Sequence, residues 1–186
     1  KQLADRVAVV TGAASGIGRG LCIVLAEMGA HVAAVDVDGE GLDALAAHLS
    51  SSRGRVTTHV VDVSDADAVA ALADKVVAEH GAVHLLVNNA GITIDGTFEQ
   101  QSLDDWKRVV GVNLWGVVHG CQAFLPHLRD ADQGHIVNVS SLFGIMGVAR
   151  QSSYCATKYA VRGLSESLWE ELRGSSVGLT VVHPGG

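Results

Sequence analysis

Positive charge is in short supply. Thirteen Lys and Arg face twenty Asp and Glu, a formal net charge of −7, and no run gathers the few cations into a patch. Nucleic-acid binding needs such a patch to displace counterions from phosphates, so no nucleic-acid partner is expected, and nothing favours an anionic membrane. Cysteine is also scarce. Cys22, Cys121 and Cys155 are odd in number, far apart and never in a Cys-x-x-Cys pair. That pattern fits neither a disulfide framework nor a zinc site, and it suits a reducing cytoplasm. The nine histidines are scattered, so no metal is expected. Aromatics make up only 4%. No secretory leader is evident, and no apolar run reads as long enough to span a bilayer. Asn138-Val139-Ser140 matches the glycosylation pattern but falls in an apolar strand of a chain expected in the cytoplasm, so it is read as coincidental. The start at Lys1 and the stop at Gly186 are read as trimmed ends.

What remains is a chain 48% apolar with 22 glycines, and its pattern alternates. Strands are expected at Arg6–Gly12, His31–Asp36, Arg55–Val63, Val83–Gly91 (with its loop), Gly134–Ser141 and Gly178–Gly186. Helices are expected between them: Ile17–Met28, Gly41–Leu49, Ser64 to Gly81, a long one from Ser102 through Leu128 interrupted near Pro126, and one from Ser152 or Ser153 to Gly174. Strands written as continuous apolar runs are covered on both faces, the mark of a parallel sheet between helices. Residues 1–186 therefore read as one doubly wound α/β domain of Rossmann type, with ligands beyond the carboxyl ends of its strands.

Three glycines, 12, 16 and 18, lie between the first strand and its helix. Gly12 permits a sharp turn, while Gly16 and Gly18 let backbone approach a pyrophosphate at the helix N-terminus. Thr11, Ser15 and Ile17 complete this candidate phosphate cradle. The spacing G-x-x-x-G-x-G departs from the common dinucleotide fingerprint. Asp36 ends the second strand, where an acid reaches the adenine ribose hydroxyls, with Val37 beside it. Its charge would repel the extra phosphate of NADP by roughly 4 kcal/mol at about 4 Å and an effective dielectric near 20. No cation flanks it in sequence, so NAD is expected over NADP. Asp62 and Val63 end the third strand, where adenine could sit. Asn88, Asn89, Ala90 and Gly91 end the fourth, with small residues for close approach and amides to bind backbone.

Tyr154 and Lys158 lie one turn apart on the last helix. In isolation this is a common surface pair. Facing a cleft, they could do acid–base work: a free phenol titrates near 10, and a neighbouring ammonium favours the phenolate. Ser140 and Ser141 both end the fifth strand, and the residues alone do not choose between them.

The motifs TGAASGIG, NNAG, Asn113, VNVSS, YCATK and HPGG, in this order and at these strand ends, resemble the short-chain dehydrogenase/reductase family over essentially the whole chain. The resemblance implies NAD(P)-dependent oxidation of an alcohol or reduction of a carbonyl, with Tyr154 as acid–base group. It selects Ser141 to polarise the substrate oxygen. It makes Asn113 the fourth catalytic residue, holding a water near Lys158, and gives Lys158 a second task on the nicotinamide ribose. Pro184 and Gly185 match the turn beside the nicotinamide. It also implies further chain beyond Gly186, carrying a substrate loop and a last strand.

A homo-oligomer, dimer or tetramer, is likewise implied, built on the long helices. There Leu114, Val118, Cys121 and Leu125 form one apolar stripe and Val110, Val117, Phe124 and Leu128 another, with Trp169 as a further exposed candidate. Two other readings stay open: a non-enzymatic NAD-binding sensor, and an NADP-dependent carbonyl reductase of lipid or polyketide metabolism, against which Asp36 argues.

Overall fold

The structure is a computed structural model and describes residues 3–185. Six strands form one parallel sheet: β1 (Val7–Thr11), β2 (His31–Asp36), β3 (Val56–Val60), β4 (Leu85–Asn88), β5 (Gly134–Val139) and β6 (Val177–Val182). Their order is β3-β2-β1-β4-β5-β6. The helices are α1 (Gly16–Glu27), α2 (Gly39–His48), α3 (Ala66–His80), α4 (Leu103–Val110), α5 (Gly116–Asp130) and α6 (Ser152–Glu171). A short 3₁₀ turn at Leu142–Gly144 was not expected. Gly186, expected in the last strand's turn, lies outside the described residues.

Both faces of the sheet are covered. Every residue of β1 is buried. Val9, Val35, Leu86 and Ile136 point to one core with α3, α5 and α6, while Val10, Val32, Ala34 and Val87 point to another with Leu25 of α1 and Leu42 and Leu45 of α2. Neighbouring residues of one strand feed opposite layers, as the two-residue period requires.

Local chemistry sets where helices begin. Asp38 accepts from the Gly41 amide at 3.0 Å and Asp65 from Ala68 at 3.0 Å. Ser102 and Asp105 form a reciprocal box: the Ser102 hydroxyl accepts from the Asp105 amide at 3.1 Å, and the Asp105 carboxylate accepts from the Ser102 amide at 2.9 Å. Such caps contribute about 1 kcal/mol each. Gly81, at φ 82°, ends α3 in the left-handed conformation.

The long helix differs from expectation. It is not interrupted at Pro126, which sits inside α5. The carbonyl deprived of its partner belongs to Gln122, which is exposed, so solvent can take that bond. The irregularity lies earlier, in a wide π turn at Gly111–Trp115 that joins α4 to α5. The two apolar stripes are also less separate than the sequence suggests. Val117, Phe124 and Leu128 are buried together with Cys121, and Leu114 and Leu125 pack partly against the same core. By length and composition the stretch Leu103–Asp130 could cross a membrane, contrary to the sequence reading; in this fold its apolar side lies on the sheet. Trp115 and Trp169 remain about half exposed.

Phe124 is 1% exposed and Leu103 79%. Phe124→Ala is expected to cost about 3–5 kcal/mol, since the cavity adds to the lost transfer energy. Leu103→Ala should stay within about 0.5 kcal/mol. Urea unfolding of both variants checks the contrast.

Candidate active site

The site forms where the chain leaves the sheet in opposite directions, between β1 and β4. Thr11 ends β1 but does not face the opening. Its hydroxyl accepts from the amides of Asn89 and Ala90, both at 3.0 Å. The Asn89 side chain donates back to the carbonyl of Thr11 at 2.8 Å and of Gly12 at 3.3 Å. These bonds hold the glycine loop against the end of β4.

The glycines divide their work. Gly12 has φ 69°, and an added Cβ would lie 2.9 Å from the Cα of Ala90. Gly18 is buried; a Cβ there would sit 2.0 Å from the Gly12 carbonyl oxygen, so it serves close packing of α1 on the loop and does not line the cleft. Gly16, at φ 51°, has nothing within 4 Å of the Cβ position, leaving open space over the amino end of α1. Ser15 makes no side-chain cap bond there, which leaves the first amides of the helix free for an anion. Asp36 accepts from the Ala14 amide at 2.9 Å and the Asp38 amide at 3.1 Å, tying the loop to the end of β2.

Above these groups lies a cleft of about 750 Å³. One end is lined by Asp36, Val37, Asp62 and Val63; the middle by Gly12, Ser15, Gly16 and Ile17. Asp62 accepts from the Ser64 amide at 2.9 Å and so shapes its own turn. The cleft continues past Asn89, Gly91 and Ile92 into a second chamber of about 440 Å³, lined by Ser141, Leu142, Phe143, Tyr154, Lys158, Pro184 and Gly185. A long dinucleotide fits this shape, with an acid at one end, free helix amides in the middle and titratable groups at the other.

Lys158 is 3% exposed and donates to the Val139 carbonyl at 2.8 Å. Its ammonium lies 5.5 Å from the centre of the Tyr154 ring. Burial pulls its pKa down from 10.5 to about 8. The Phe143 ring meets Tyr154 edge-on, with centroids 6.0 Å apart. The two serines left open by the residues alone part company here. Ser140 is buried, its hydroxyl spent on the Lys158 carbonyl at 2.9 Å. Ser141 is partly exposed in the chamber, its hydroxyl accepting from the Phe143 amide at 3.1 Å, so its proton is left for another partner.

Asn113 is fully buried in the π turn. Its side chain accepts from the Ile92 amide at 2.8 Å and donates to the Ile92 carbonyl at 2.9 Å and the Thr157 hydroxyl at 3.2 Å. It anchors the loop after β4 to the helix that carries Tyr154. Asn88 also turns inward, donating to Asn138 at 2.9 Å; Asn138 in turn donates to Ser165 at 3.0 Å.

Sequence reasoning missed several residues. Lys107 and Arg108 line the acidic end of the cleft, although no cation neighbours Asp36 in sequence. Thr93 and Gln151 line the second chamber. Nothing in their local patterns separates them from ordinary surface polar residues.

The order β3-β2-β1-β4-β5-β6, with a glycine loop and a cleft at the point of divergence, defines a doubly wound α/β fold of Rossmann type. The family described as short chain dehydrogenase matches residues 6–186. SadH of Mycobacterium tuberculosis, provisionally named an oxidoreductase, is 47% identical over 184 residues, covering 97% of this chain and 66% of SadH. A Burkholderia phymatum short-chain dehydrogenase/reductase solved in complex with NAD superposes with a TM-score of 0.94 at 36% identity, covering 100% of this chain and 67% of that one. A metagenomic short-chain oxidoreductase solved with NADP gives 0.94 at 38% identity, covering 100% and 85%. The chain belongs to the short-chain dehydrogenase/reductase family of oxidoreductases. It spans about two thirds of the length of SadH.

The buried ammonium has a cost. The unfolded chain holds the Lys158 proton up to about 10.5, the folded one only to about 8. Between these values the unfolded state binds more protons, so stability rises with pH across that window. Below it the penalty is fully present, roughly 3 kcal/mol. Lys158→Met is therefore expected to stabilise the fold by up to roughly 3 kcal/mol at pH 7, with the gain vanishing as pH passes about 10.5. Denaturant unfolding of both proteins across pH measures it.

Proposed function

We propose that this chain oxidises secondary alcohols, or reduces the corresponding ketones, with NAD as the preferred cofactor. The observation that carries the proposal is the meeting of Tyr154, Lys158 and Ser141 in one chamber that opens directly onto the dinucleotide-shaped cleft. Bound at that end, the nicotinamide supplies the hydride acceptor. The Ser141 hydroxyl donates to the substrate oxygen and orients it. Acting as the phenolate, Tyr154 takes the hydroxyl proton while the substrate carbon gives up its hydride; as the phenol, it returns the proton in the reverse direction. Lys158 brings positive charge beside the phenol and, from its buried seat, also reaches the cofactor ribose. Asn113 holds the loop against the helix that carries Tyr154 and Lys158 and, in this reading, a water near Lys158. Thr11, Gly18 and Asn89 act indirectly by fixing the glycine loop. Gly12, Ser15, Gly16, Ile17 and the turn at Pro184 and Gly185 contact the cofactor.

Asp36 supports NAD, since its carboxylate repels a ribose phosphate. Reduction of a carbonyl with NADPH is the competing reading, favoured by Lys107 and Arg108 at the same end. Of these, Lys107 is already paired with Asp104 at 2.8 Å. The assembly we infer is a cytoplasmic homo-oligomer in which residues 1–186 form one Rossmann-type domain.

Two measurements test this reading. NAD should bind at least about tenfold tighter than NADP, and Asp36→Ala should narrow the gap; tighter NADP binding by the parent protein would overturn the cofactor assignment. Turnover of a panel of secondary alcohols and ketones, followed by NADH absorbance, tests the chemistry. Tyr154→Phe keeps the ring and removes the hydroxyl, so NAD binding should survive while oxidation falls by several powers of ten. Near-normal turnover in that variant would sink the mechanism.

A further inference from the structure

The helix that carries Tyr154 begins without a cap of its own. Gln151 occupies the cap position, yet its side chain makes no bond to the helix amides. It is instead engaged with Thr93 at 2.5 Å, at the edge of the substrate chamber. The Ser153 hydroxyl is buried without a partner. The Ser153 amide, one of the donors that a helix start leaves orphaned, is taken by a residue fifty-two positions earlier: the Gln101 side-chain oxygen accepts from it at 3.3 Å.

Gln101 is 7% exposed. The other end of its amide donates to three carbonyls, of Ile94 at 2.8 Å, Gly96 at 3.3 Å and Arg150 at 3.4 Å. With three carbonyls on one side and an amide N–H on the other, only one orientation of the group satisfies its partners. The residue it grips just before the helix, Arg150, has φ 68°, a conformation costly for a residue with a side chain. That geometry is held by Gln101, by the Gly96 amide donating to the Arg150 carbonyl at 3.1 Å, and by the Arg150 guanidinium on Asp95 at 3.1 Å. The segment after β4 and the start of α6 are therefore one clasped unit with Gln101 at its centre.

We infer that Gln101 is a positioning residue for the reaction: it caps the Tyr154 helix from outside, releasing Gln151 to face the chamber, and so holds the Tyr154 hydroxyl where it can exchange a proton. This rests on the reaction proposed above. Gln101 touches neither cleft, so its loss should leave cofactor binding intact. Its effect should fall on the proton-transfer step, because Tyr154 is the residue immediately after the amide it caps.

The test uses the full protein. Gln101→Met preserves bulk and removes both halves of the amide. Gln101→Asn keeps an amide one methylene too short to span loop and helix, and serves if the Met variant does not fold. Either should lower kcat about fivefold or more, the scale of a lost cap, with NAD affinity unchanged. The solvent deuterium isotope effect on kcat should rise, since proton transfer becomes more limiting; a mere loss of folded enzyme would leave it unaltered. Gln101→Glu should recover most of the rate, because burial against three carbonyls keeps the acid neutral, still accepting from Ser153 and donating once. An unchanged isotope effect alongside reduced stability would overturn the proposal.

Hydrogen exchange separates the two readings. If the parent enzyme turns over no alcohol or ketone, the proposed reaction fails on its own. The cap is then judged by exchange in residues 152–155: faster exchange confined there in the Gln101 variants supports it, and unchanged exchange refutes it.

Discussion

The bonds between Thr11 and Asn89 decide what the rest of the molecule can do. At the ends of β1 and β4 the chain departs to opposite faces of the sheet, which would leave a gap with loose edges. One hydroxyl accepting two amides, and one side-chain amide gripping two carbonyls, close the floor of that gap without filling it. The glycine loop is fixed from below, so its upper side stays bare. Asp36 braces the same loop from β2. Open cleft surface and structural support are thus different faces of one short segment.

On the other half of the sheet the support is polar and buried. Asn88, Asn138 and Ser165 link β4, β5 and α6 under the chamber, and Ser140 ties β5 to the Lys158 carbonyl. Lys158 itself is kept dry with a single backbone carbonyl bonded to its ammonium. An apolar residue would fit that seat better, so the site trades stability for charge, a recurring pattern where function needs a strained or unfavourable group.

Much of this could be read in advance. β2 was bounded correctly by its apolar run, and the caps at Ser102 and Asp65 mark their helices by side-chain chemistry that is local. Strands whose ends are set by a neighbour were harder. β3 was expected to reach Val63 but stops at Val60, because its partner β2 ends at the paired Asp36. The proline rule misled at Pro126, where an exposed turn tolerates the lost bond. Glycines 12, 16 and 18 were found as a motif, while their separate tasks emerge only from what surrounds each one. Ser140 and Ser141 are indistinguishable as neighbours in a sequence; the turn of the backbone sends one hydroxyl inward and leaves the other in the chamber. Lys107, Arg108 and Gln101 gain meaning only from residues distant in the chain, which no local pattern encodes.

The wide turn at Gly111–Trp115 has a consequence for how this helix can vary. Its inward positions Val109, Asn113 and Val117 are spaced by four. In a regular α-helix each such step drifts about 40°, so the two steps would carry Val117 about 80° away from the line of Val109. The turn's i→i+5 bonding absorbs the drift, letting Asn113 reach Ile92 while Phe124 and Leu128 still face the core. Asn113 fixes the clamp within this turn, and the turn's residue count fixes where that clamp points. Removing a single residue would rotate everything downstream by about 100°, so that the amide clamp and the apolar face would no longer be in phase. The segment works as a gear tooth: its length keeps the Asn113 clamp synchronised with the packed end of the helix.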